Sequence, residues 1–307
     1  KSALRRVSRA AGIRNPEFEA AISPDDVRAF MAAQPGPVVL KPADRQASLG
    51  TIVLHDPAEV EAAWRECTAL DEGALARTGE TPLRMLVERY VKGDEYSVEM
   101  LVRHGVPLFA NVTEKMLYPG PRPIELGHVV PARISDELAE RLRAGTEAVL
   151  RAVAFDSGVV HCEWIVSDGE PYLVECAGRF PGDGIVELID RAYAFRLAEA
   201  YFTVMRGEAP VPPPQAAEFG AAVRFLQVDP GRITAVNGIE AAEAMAGVVH
   251  VSVDDPGTTV NSLRSSWDRP GSVLTYASTA GEAIDTAMKA VEQIQVQVTT
   301  VSESVSL

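Results

Sequence analysis

Two apolar segments separated by a tight turn dominate the hydrophobic pattern in the middle of the chain. Residues 158–166 and 171–177 are largely apolar, and Asp168-Gly169 lies between them. Asp-Gly between apolar runs is the strongest short-range signal for a β-hairpin. Each predicted strand carries one carboxylate among apolar neighbours, Glu163 in the first and Glu175 in the second. The pattern therefore predicts a mostly buried hairpin with two acidic side chains.

These two carboxylates predict a cation site. A buried carboxylate is costly unless it is paired with, or bound to, a cation, and Arg179 follows the second strand closely. Mg²⁺ prefers a few carboxylates together with phosphate oxygens and water, which is the usual setting of an ATP site. The alternative is a solvent-facing strand with its charges on the wet face. Residues 159–166 do not alternate cleanly enough to favour that alternative.

The rest of the chain alternates between helical and strand-like periodicity. Helices are predicted at residues 2–11, 24–34, 58–70, 135–155, 186–205, 239–245 and 279–293, the first of them amphipathic with Leu4 and Val7 on its apolar side. Strands are predicted at residues 38–42, 51–54, 84–91, 96–102, 107–112, 220–228, 232–236, 248–253 and 272–277. Residues 71–82 and 113–130 read as loops, 207–218 as a Pro-rich connector and 299–307 as a frayed tail. We recognise no group of residues that carries chemistry after position 207.

A short strand that ends in Lys41 is a candidate phosphate site. It is followed by small or polar residues at 43–50 and by a second strand. Such a hairpin can place backbone N–H groups on phosphates while the lysine neutralises their charge. It is not a Walker loop, because the G-x-x-x-x-G-K-[ST] pattern is absent from the sequence. The alternative is a plain hairpin with a lysine at its end.

Two further stretches favour structural interpretations when taken alone. Residues 95–99 alternate with period two, so Glu95, Ser97 and Glu99 share one face of a strand. We predict that Glu99 lies on a polar outer face of an antiparallel sheet. The predicted loop at 113–130 is rich in Pro and Gly and contains Lys115 and His128. A loop of this length is usually disordered or functional.

Composition excludes several classes of partner. The net charge of −14 over 307 residues argues against nucleic acid and anionic membranes as partners. The three cysteines show no CxxC spacing, which predicts reduced thiols in a cytoplasmic protein rather than disulfides or a zinc site. No apolar run approaches the ~20 residues of a membrane span. Because the chain starts at Lys1 inside a predicted helix, we expect an N-terminal part to precede it.

Three strings, in their order and spacing, resemble the ATP-grasp superfamily. They are Val39-Leu40-Lys41-Pro42 with Ser48-Leu49-Gly50, Val87-Glu88-Arg89-Tyr90-Val91 with Gly93-Asp94-Glu95, and Glu163 with Glu175-Cys176-Ala177-Gly178-Arg179. Within the superfamily the carboxylate–amine ligases are most similar, and the bacterial L-amino acid (dipeptide) ligases look closest. The resemblance implies an α+β ATP-grasp fold, in which two lobes of antiparallel sheets with helices clasp ATP. It divides the chain into a helical entry segment (1–36), a small lobe or lid (37–93), a large lobe with the metal site (94–206) and a C-terminal α/β subdomain (207–307).

The resemblance also implies roles for residues that bind nucleotide and metal. Lys41 would contact the α- and β-phosphates, and Ser48, Leu49 and Gly50 would lie over the triphosphate. Glu88 and the backbone of Arg89 and Val91 would hold the adenine edge, and Glu95 would take the ribose hydroxyls. Glu163 and Glu175 would bind two Mg²⁺ ions, which Mn²⁺ could replace.

The remaining implied roles concern the reacting groups. Lys115 would approach the γ-phosphate, and Arg179 would stabilise the transferring phosphoryl group. His128 would lie near the substrates, and Gly182 and Asp183 would border the amino-acid pocket. The family usually has Asn, a further metal ligand, at the position of Ala177.

The implied activity is ATP-dependent ligation of a small carboxylate to an amine through an acyl phosphate, with ADP as a product. Small molecules are the implied partners, a homodimer is compatible with the family, and an N-terminal domain absent here would complete the substrate site. One alternative is another ATP-grasp ligase, of the carboxylase type or from nucleotide biosynthesis. The other is a nucleotide-binding module that has lost catalysis, which Ala177 favours modestly.

Overall fold

A computed structural model describes residues 1–69 and 84–299. Its α-helices are α1 (Ser2–Ala10), α2 (Pro24–Ala33), α3 (Val60–Ala69), α4 (Asp136–Ala152), α5 (Ile185–Ala192), α6 (Leu197–Met205), α7 (Ile239–Glu243) and α8 (Ala280–Gln293). Its strands are β1 (Phe18–Ala21), β2 (Val38–Pro42), β3 (Ile52–Leu54), β4 (Met85–Arg89), β5 (Asp94–Arg103), β6 (Val106–Leu117), β7 (Glu125–Val130), β8 (Gly158–Ser167), β9 (Glu170–Ala177), β10 (Gly220–Phe225), β11 (Gly231–Asn237), β12 (Val248–Val253), β13 (Thr259–Val260), β14 (Gly271–Ala277) and β15 (Gln295–Thr299). The loop predicted at 71–82 lies outside the described residues, as does the tail beyond residue 299.

A small antiparallel sheet is built from the N-terminal strands in the order β1-β4-β2-β3. Helices α2 and α3 bury their apolar residues against one face of it, in a core that includes Phe30, Leu40 and Met85. Ser23 starts α2, because its hydroxyl accepts the N–H of Asp26 while the Asp26 carboxylate accepts the N–H of Ser23. Pattern reading missed β1, whose four residues are too few to show a period.

The large sheet has eight antiparallel strands in the order β12-β14-β10-β7-β6-β5-β8-β9. Helix α4 covers one face, where Val98 and Met100 of β5 meet Leu142. Helices α5 and α6 cover the other, where Leu101 meets Leu188. Neighbouring residues of a strand point to opposite faces, so both faces of β5 are buried. Strands β13, β11 and β15 form a third sheet.

The structure corrects the loop that the sequence predicts at residues 113–130. Its first five residues complete β6 and its last six form β7, so the Pro- and Gly-rich part is confined to the short connection between them. Gly127 lies inside β7, where a Cβ would approach the carbonyl oxygen of Val223 to 2.5 Å. This glycine therefore permits close packing of two strands rather than a loop conformation.

The helix predicted over residues 186–205 is also corrected, because it is two helices. Ala194 adopts a left-handed conformation with φ of 49° between α5 and α6. Asp190 accepts the N–H of Leu197 at 2.9 Å and so satisfies a backbone N–H that the first turn of α6 leaves without a helical partner. In the described residues, no helix has the length and apolar content needed to cross a membrane.

Candidate active site

A cavity of about 510 Å³ lies between the small and large sheets, a size typical of ligand sites. Fourteen residues predicted from the sequence line it: Lys41, Ser48, Leu49, Glu88, Arg89, Val91, Glu95, Lys115, His128, Glu163, Glu175, Arg179, Gly182 and Asp183. Gly50 does not line it. That glycine closes the loop with φ of 71°, and its carbonyl accepts the thiol of Cys67 at 2.9 Å.

Glu163 and Glu175 are Cα partners across β8 and β9, so their side chains project from the same face of the sheet. Lys115 Nζ lies 3.1 Å from Glu163 Oε1, and Lys1 Nζ lies 3.3 Å from Glu175 Oε2. Burial tends to raise the pKa of Glu163, but Lys115 and His161 outweigh it and hold that pKa well below its usual value. Glu163 is therefore ionised at neutral pH.

Lys115 is surrounded by three carboxylates. Besides Glu163, its Nζ lies 3.2 Å from Glu125 Oε1 and 3.6 Å from Glu95 Oε2. Burial and the neighbouring carboxylates raise the pKa of Glu95 to about 7, although Lys115 opposes this shift. The sequence reading gave Glu125 no role, because β7 was hidden in a predicted loop. The cluster carries an excess of negative charge that a metal ion would offset.

The solvent exposure predicted for Glu99 from the sequence is wrong, because the side chain is completely buried rather than on a polar outer face. Its carboxylate accepts hydrogen bonds from Ser97, Asn111, Thr113 and His161. Period-two alternation placed Glu99 correctly on the face of Glu95, but that face is covered by α5 and α6. His161, which pattern reading also missed, lines the cavity between Glu99 and Glu163.

Glu88 is held between two cations in the small sheet. Lys41 Nζ lies 2.5 Å from Oε2, and Arg5 donates to both carboxylate oxygens. Burial tends to raise the pKa of Glu88, but Lys41 and Arg5 lower it to about 2. The adenine contact implied for Glu88 would therefore involve a carboxylate that already binds two partners.

Helix α1 buries only part of its predicted apolar side, because Leu4 packs against the core whereas Arg5 takes the place expected for Val7. Arg5 is 1% exposed, whereas Val7 is 39% exposed. Arg5 is buried because its guanidinium reaches Glu88 and the carbonyl of Leu173. The period of the helix could not reveal this, since the partner carboxylate is 83 residues away along the chain.

The C-terminal segment contributes to the site, contrary to the sequence reading that found no chemistry after position 207. A 3₁₀ turn, Ser266–Asp268, places Ser266 and Trp267 in the cavity wall. Ser266 N–H donates to the carbonyl of Ala47 at 3.0 Å, and its hydroxyl donates to Glu125 at 2.7 Å. The turn therefore joins the loop that the sequence places over the triphosphate to the large sheet.

Arg269 directly follows the same turn and anchors it to Asp183 in the cavity wall. Its two Nη atoms donate to Asp183 at 2.5 and 3.0 Å, and its guanidinium lies 3.6 Å from the ring centroid of Phe225. Asp183 also bonds His128 Nε2 at 2.9 Å. Burial tends to raise the pKa of Asp183, but His128 and Arg269 lower it well below its usual range.

A known domain family matches the part of the chain that supplies most of the residues lining this cavity. The ATP-grasp domain family matches residues 34–187, which is half of the chain. The chain belongs to the ATP-grasp family. The L-amino acid ligase C-terminal domain 2 family matches residues 224–299. Together these matches confirm the recognised superfamily and the α+β fold.

Relatives of this ATP-grasp chain include two bacterial proteins. The uncharacterized protein y4rH of Sinorhizobium fredii is 26% identical over 295 residues, which are 96% of this chain and 60% of y4rH. A D-alanine–D-alanine ligase of Anaeromyxobacter sp. (strain Fw109-5) is 30% identical over 162 residues, which are 52% of this chain and 48% of the ligase. The chain thus spans about half to three fifths of the length of these relatives.

Solved structures show the same fold. An L-amino acid ligase from Bacillus licheniformis superposes with a TM-score of 0.85 at 19% identity, covering 98% of this chain and 73% of that one. An N5-carboxyaminoimidazole synthase from Aspergillus clavatus superposes with a TM-score of 0.71 at 14% identity, covering 95% and 72%. At these identities the likeness establishes the ATP-grasp architecture.

The carboxylates of this ATP-grasp site fit a Mg²⁺ ion whose ligands come partly from the protein and partly from water and substrate phosphates. Among the residues that the structure describes, no three His, Cys, Asp or Glu side chains form a complete metal cage. Two opposed carboxylates in a cavity suit Mg²⁺, which keeps waters and substrate phosphates as its other ligands. Ala177, at the position of the usual Asn, ends β9 and is the Cα partner of His161.

Proposed function

We propose that this chain is the ATP-binding and catalytic part of an ADP-forming carboxylate–amine ligase. The observation that carries the proposal is the pairing of Glu163 with Glu175 in one cavity with Lys41 and Lys115. The match of the C-terminal segment to the L-amino acid ligase family supports amino acids as substrates. The domain boundaries given above and the individual residue roles belong to the same proposal.

The cavity offers the charges that activation of a carboxylate needs. A carboxylate is a poor electrophile at neutral pH, and transfer of the γ-phosphoryl group converts it to an acyl phosphate with a good leaving group. Lys41, Lys115 and Arg179 would offset the negative charge that gathers on the phosphates. Glu163 and Glu175 would hold Mg²⁺, which would supply Lewis-acid stabilisation of that charge.

The second half-reaction needs an amine and a dry site. The amine attacks the acyl phosphate, which releases phosphate and gives an amide. Water would hydrolyse the acyl phosphate if it entered. The small sheet would act as the lid. Two hydrogen bonds connect the loop after β2 to the rest of the cavity wall. The Ser266 N–H donates to the carbonyl of Ala47, and the Ser48 hydroxyl donates to the carbonyl of Pro123 at 2.8 Å.

Placement of the substrates follows from the two ends of the cavity. The nucleotide would lie between β4 and β9, near Arg89 and Val91. His128 and Asp183 would border the acid and amine at the other end, where Arg179 lies close to Gly182. Asp183, whose carboxylate is held by Arg269 and His128, would lie beside the amino-acid pocket.

The test is ADP release with Mg-ATP over pairs of L-amino acids, together with calorimetry of Mg-ATP binding. We expect ADP release to require an amino acid and an amide to form in equal amount. ADP release that depends on bicarbonate instead would indicate a carboxylase-type enzyme. Nucleotide binding without turnover for any pair, in a chain extended at its N-terminus to the length of its relatives, would indicate a binding module and would contradict the proposal.

A further inference from the structure

A fully buried carboxylate lies behind the proposed metal site and is not used by the chemistry described above. Glu99 is 0% exposed. Burying a charge of this kind is costly, and proteins keep such groups only when every hydrogen-bonding position is satisfied. The surroundings of Glu99 meet this requirement, because each of its two oxygens accepts two hydrogen bonds.

The four donors to Glu99 come from three strands. Oε1 accepts from the Ser97 hydroxyl at 2.7 Å and from His161 Nδ1 at 2.8 Å. Oε2 accepts from the Thr113 hydroxyl at 2.7 Å and from Asn111 Nδ2 at 2.9 Å. The hydroxyl of Tyr193, the residue directly after α5, donates to Asn111 Oδ1 at 3.2 Å. Three of the four donors, Ser97, Asn111 and Thr113, lie outside the cavity lining, so they hold Glu99 in place from behind the cavity wall.

The link from Glu99 to the cavity is the imidazole of His161. An ionised carboxylate can only accept, so His161 Nδ1 carries the proton that is donated to Glu99. The other ring nitrogen, Nε2, lies 3.2 Å from Glu163 Oε1. The ring therefore lies between a buried acid and a cavity acid and connects the two.

The contact of His161 with Glu163 determines which carboxylate oxygen of Glu163 is left for a cation. Lys115 and His161 both contact Oε1, so a cation can bind Oε2 while both contacts are kept. We propose that Glu99 is a positioning residue that fixes His161, and through it Glu163, for binding the metal ion that accompanies the nucleotide. This inference rests on the proposed function, because it assigns the metal role to Glu163.

The size of the effect follows from the behaviour of hydrogen-bonding partners of metal ligands. Removing such a partner typically lowers metal affinity or activity by about 10- to 100-fold. A purely structural role for Glu99 would lower the melting temperature without a selective effect on metal. The two roles are therefore separated by comparing nucleotide binding with and without Mg²⁺.

The experiment measures the Kd of ADP by calorimetry, in Mg²⁺ and in EDTA, for the 307-residue chain and three variants. The variants are Glu99→Gln, His161→Gln and Thr113→Val. We expect the wild type to bind ADP more tightly in Mg²⁺, and Glu99→Gln to lose about tenfold of that gain with its Kd in EDTA unchanged. Thr113→Val is the control, because it removes one donor to Glu99 and leaves the His161 contact in place.

The double variant Glu99→Gln/His161→Gln adds a test of the connection. If both residues act through one contact, the double variant loses no more of the Mg²⁺-dependent gain than His161→Gln alone. Should Glu99→Gln fail to fold, His161→Gln carries the same comparison with Glu99 intact. The melting temperature of each variant is measured alongside.

The outcomes are distinguishable. A Glu99→Gln protein that keeps the full Mg²⁺-dependent gain overturns the inference while leaving the proposed function intact. Equal losses in Glu99→Gln and Thr113→Val, with equal falls in melting temperature, also overturn it, because they indicate a general structural effect. A wild-type chain whose ADP affinity does not respond to Mg²⁺ overturns the metal role in the proposed function, and this inference with it.

Discussion

Glu163 and Glu175 face each other as Cα partners on neighbouring strands, and each is in contact with a lysine at 3.1 to 3.3 Å. Each carboxylate of the pair therefore has a lysine partner before any metal ion binds. An arriving triphosphate would compete for both lysines and leave the carboxylates free for Mg²⁺. This exchange of partners would make the binding of nucleotide and metal mutually dependent, which is the behaviour expected of an ATP site.

Replacing Glu175 with Gln is expected to abolish Mg²⁺-dependent ADP release, with a loss of about 100-fold or more. The amide lacks the charge that a hard cation requires, and its contact with Lys1 would weaken at the same time. The fold should be kept, because Glu175 is 29% exposed and is not part of the core. Initial rates of ADP release at saturating Mg²⁺ and the melting temperature provide the measurements.

Glu170→Gln is the matched control for this substitution. Glu170 lies on the same strand, and its carboxylate pairs with Arg14 and Arg141 at the surface. Its loss should leave ADP release unchanged. Equal rates for Glu175→Gln and the wild type would contradict the metal assignment.

Local signals in the sequence were enough for much of the fold. The hairpin around Asp168-Gly169 is present, and the helix predicted at 135–155 begins at Ser135 as its N-cap, whose hydroxyl accepts the N–H of Leu138. The order and spacing of three short sequence segments identified the family, because all three segments contribute residues to the same cavity. These features depend on residues that are close in the chain, where turn chemistry and helix capping act.

The errors share a physical cause, which is long-range burial. Glu99 lies on the face that its period predicts, but the covering helices come from residues after position 184. Arg5 reaches a carboxylate 83 residues away, and Arg269 reaches Asp183 across 86 residues. Pattern reading cannot detect such partners, because a charged residue gives the same signal whether it is solvated or paired inside.

The pH dependence of stability should report the buried ion pair of Glu88. Its pKa in the folded chain is about 2, below the ordinary value of 4.5, so it contributes stability that is present above about pH 4.5. That stability is lost as the pH falls through this range towards 2. The shift corresponds to about 3 kcal/mol over the whole range.

Urea titrations of the wild type and Glu88→Gln from about pH 6 to about pH 3 measure this contribution. The difference in unfolding free energy should be large near neutral pH, where the variant leaves Lys41 and Arg5 without their carboxylate, and should shrink in acid. Glu17→Gln, which removes an exposed pair with Arg9, should differ from the wild type by less than about 1 kcal/mol at every pH. A difference for Glu88→Gln that does not change with pH would exclude the ion pair as its source.

Arg269→Gln should destabilise the chain by about 3 kcal/mol, because it leaves the largely buried Asp183 carboxylate with His128 as its remaining charged partner. Arg264→Gln, at an exposed arginine five residues earlier, should change stability by less than about 0.5 kcal/mol. Unfolding free energies from urea titration measure both. Similar values for the two variants would show that the Arg269 contact contributes little.

Trp267 should report ligand binding through its fluorescence. Its indole lines the cavity and is 52% exposed, and its neighbour Ser266 bonds the loop expected over the triphosphate. A bound nucleotide would displace water from the ring, so Mg-ADP should shift the emission to shorter wavelength.

Of the other two tryptophans, Trp164 is 2% exposed and Trp64 packs on the core of the small sheet. The shift should therefore vanish in Trp267→Phe and persist in Trp64→Phe, with the calorimetric Kd confirming that both variants still bind. A shift that survives in Trp267→Phe would place the responding tryptophan outside the cavity and contradict this arrangement of the turn.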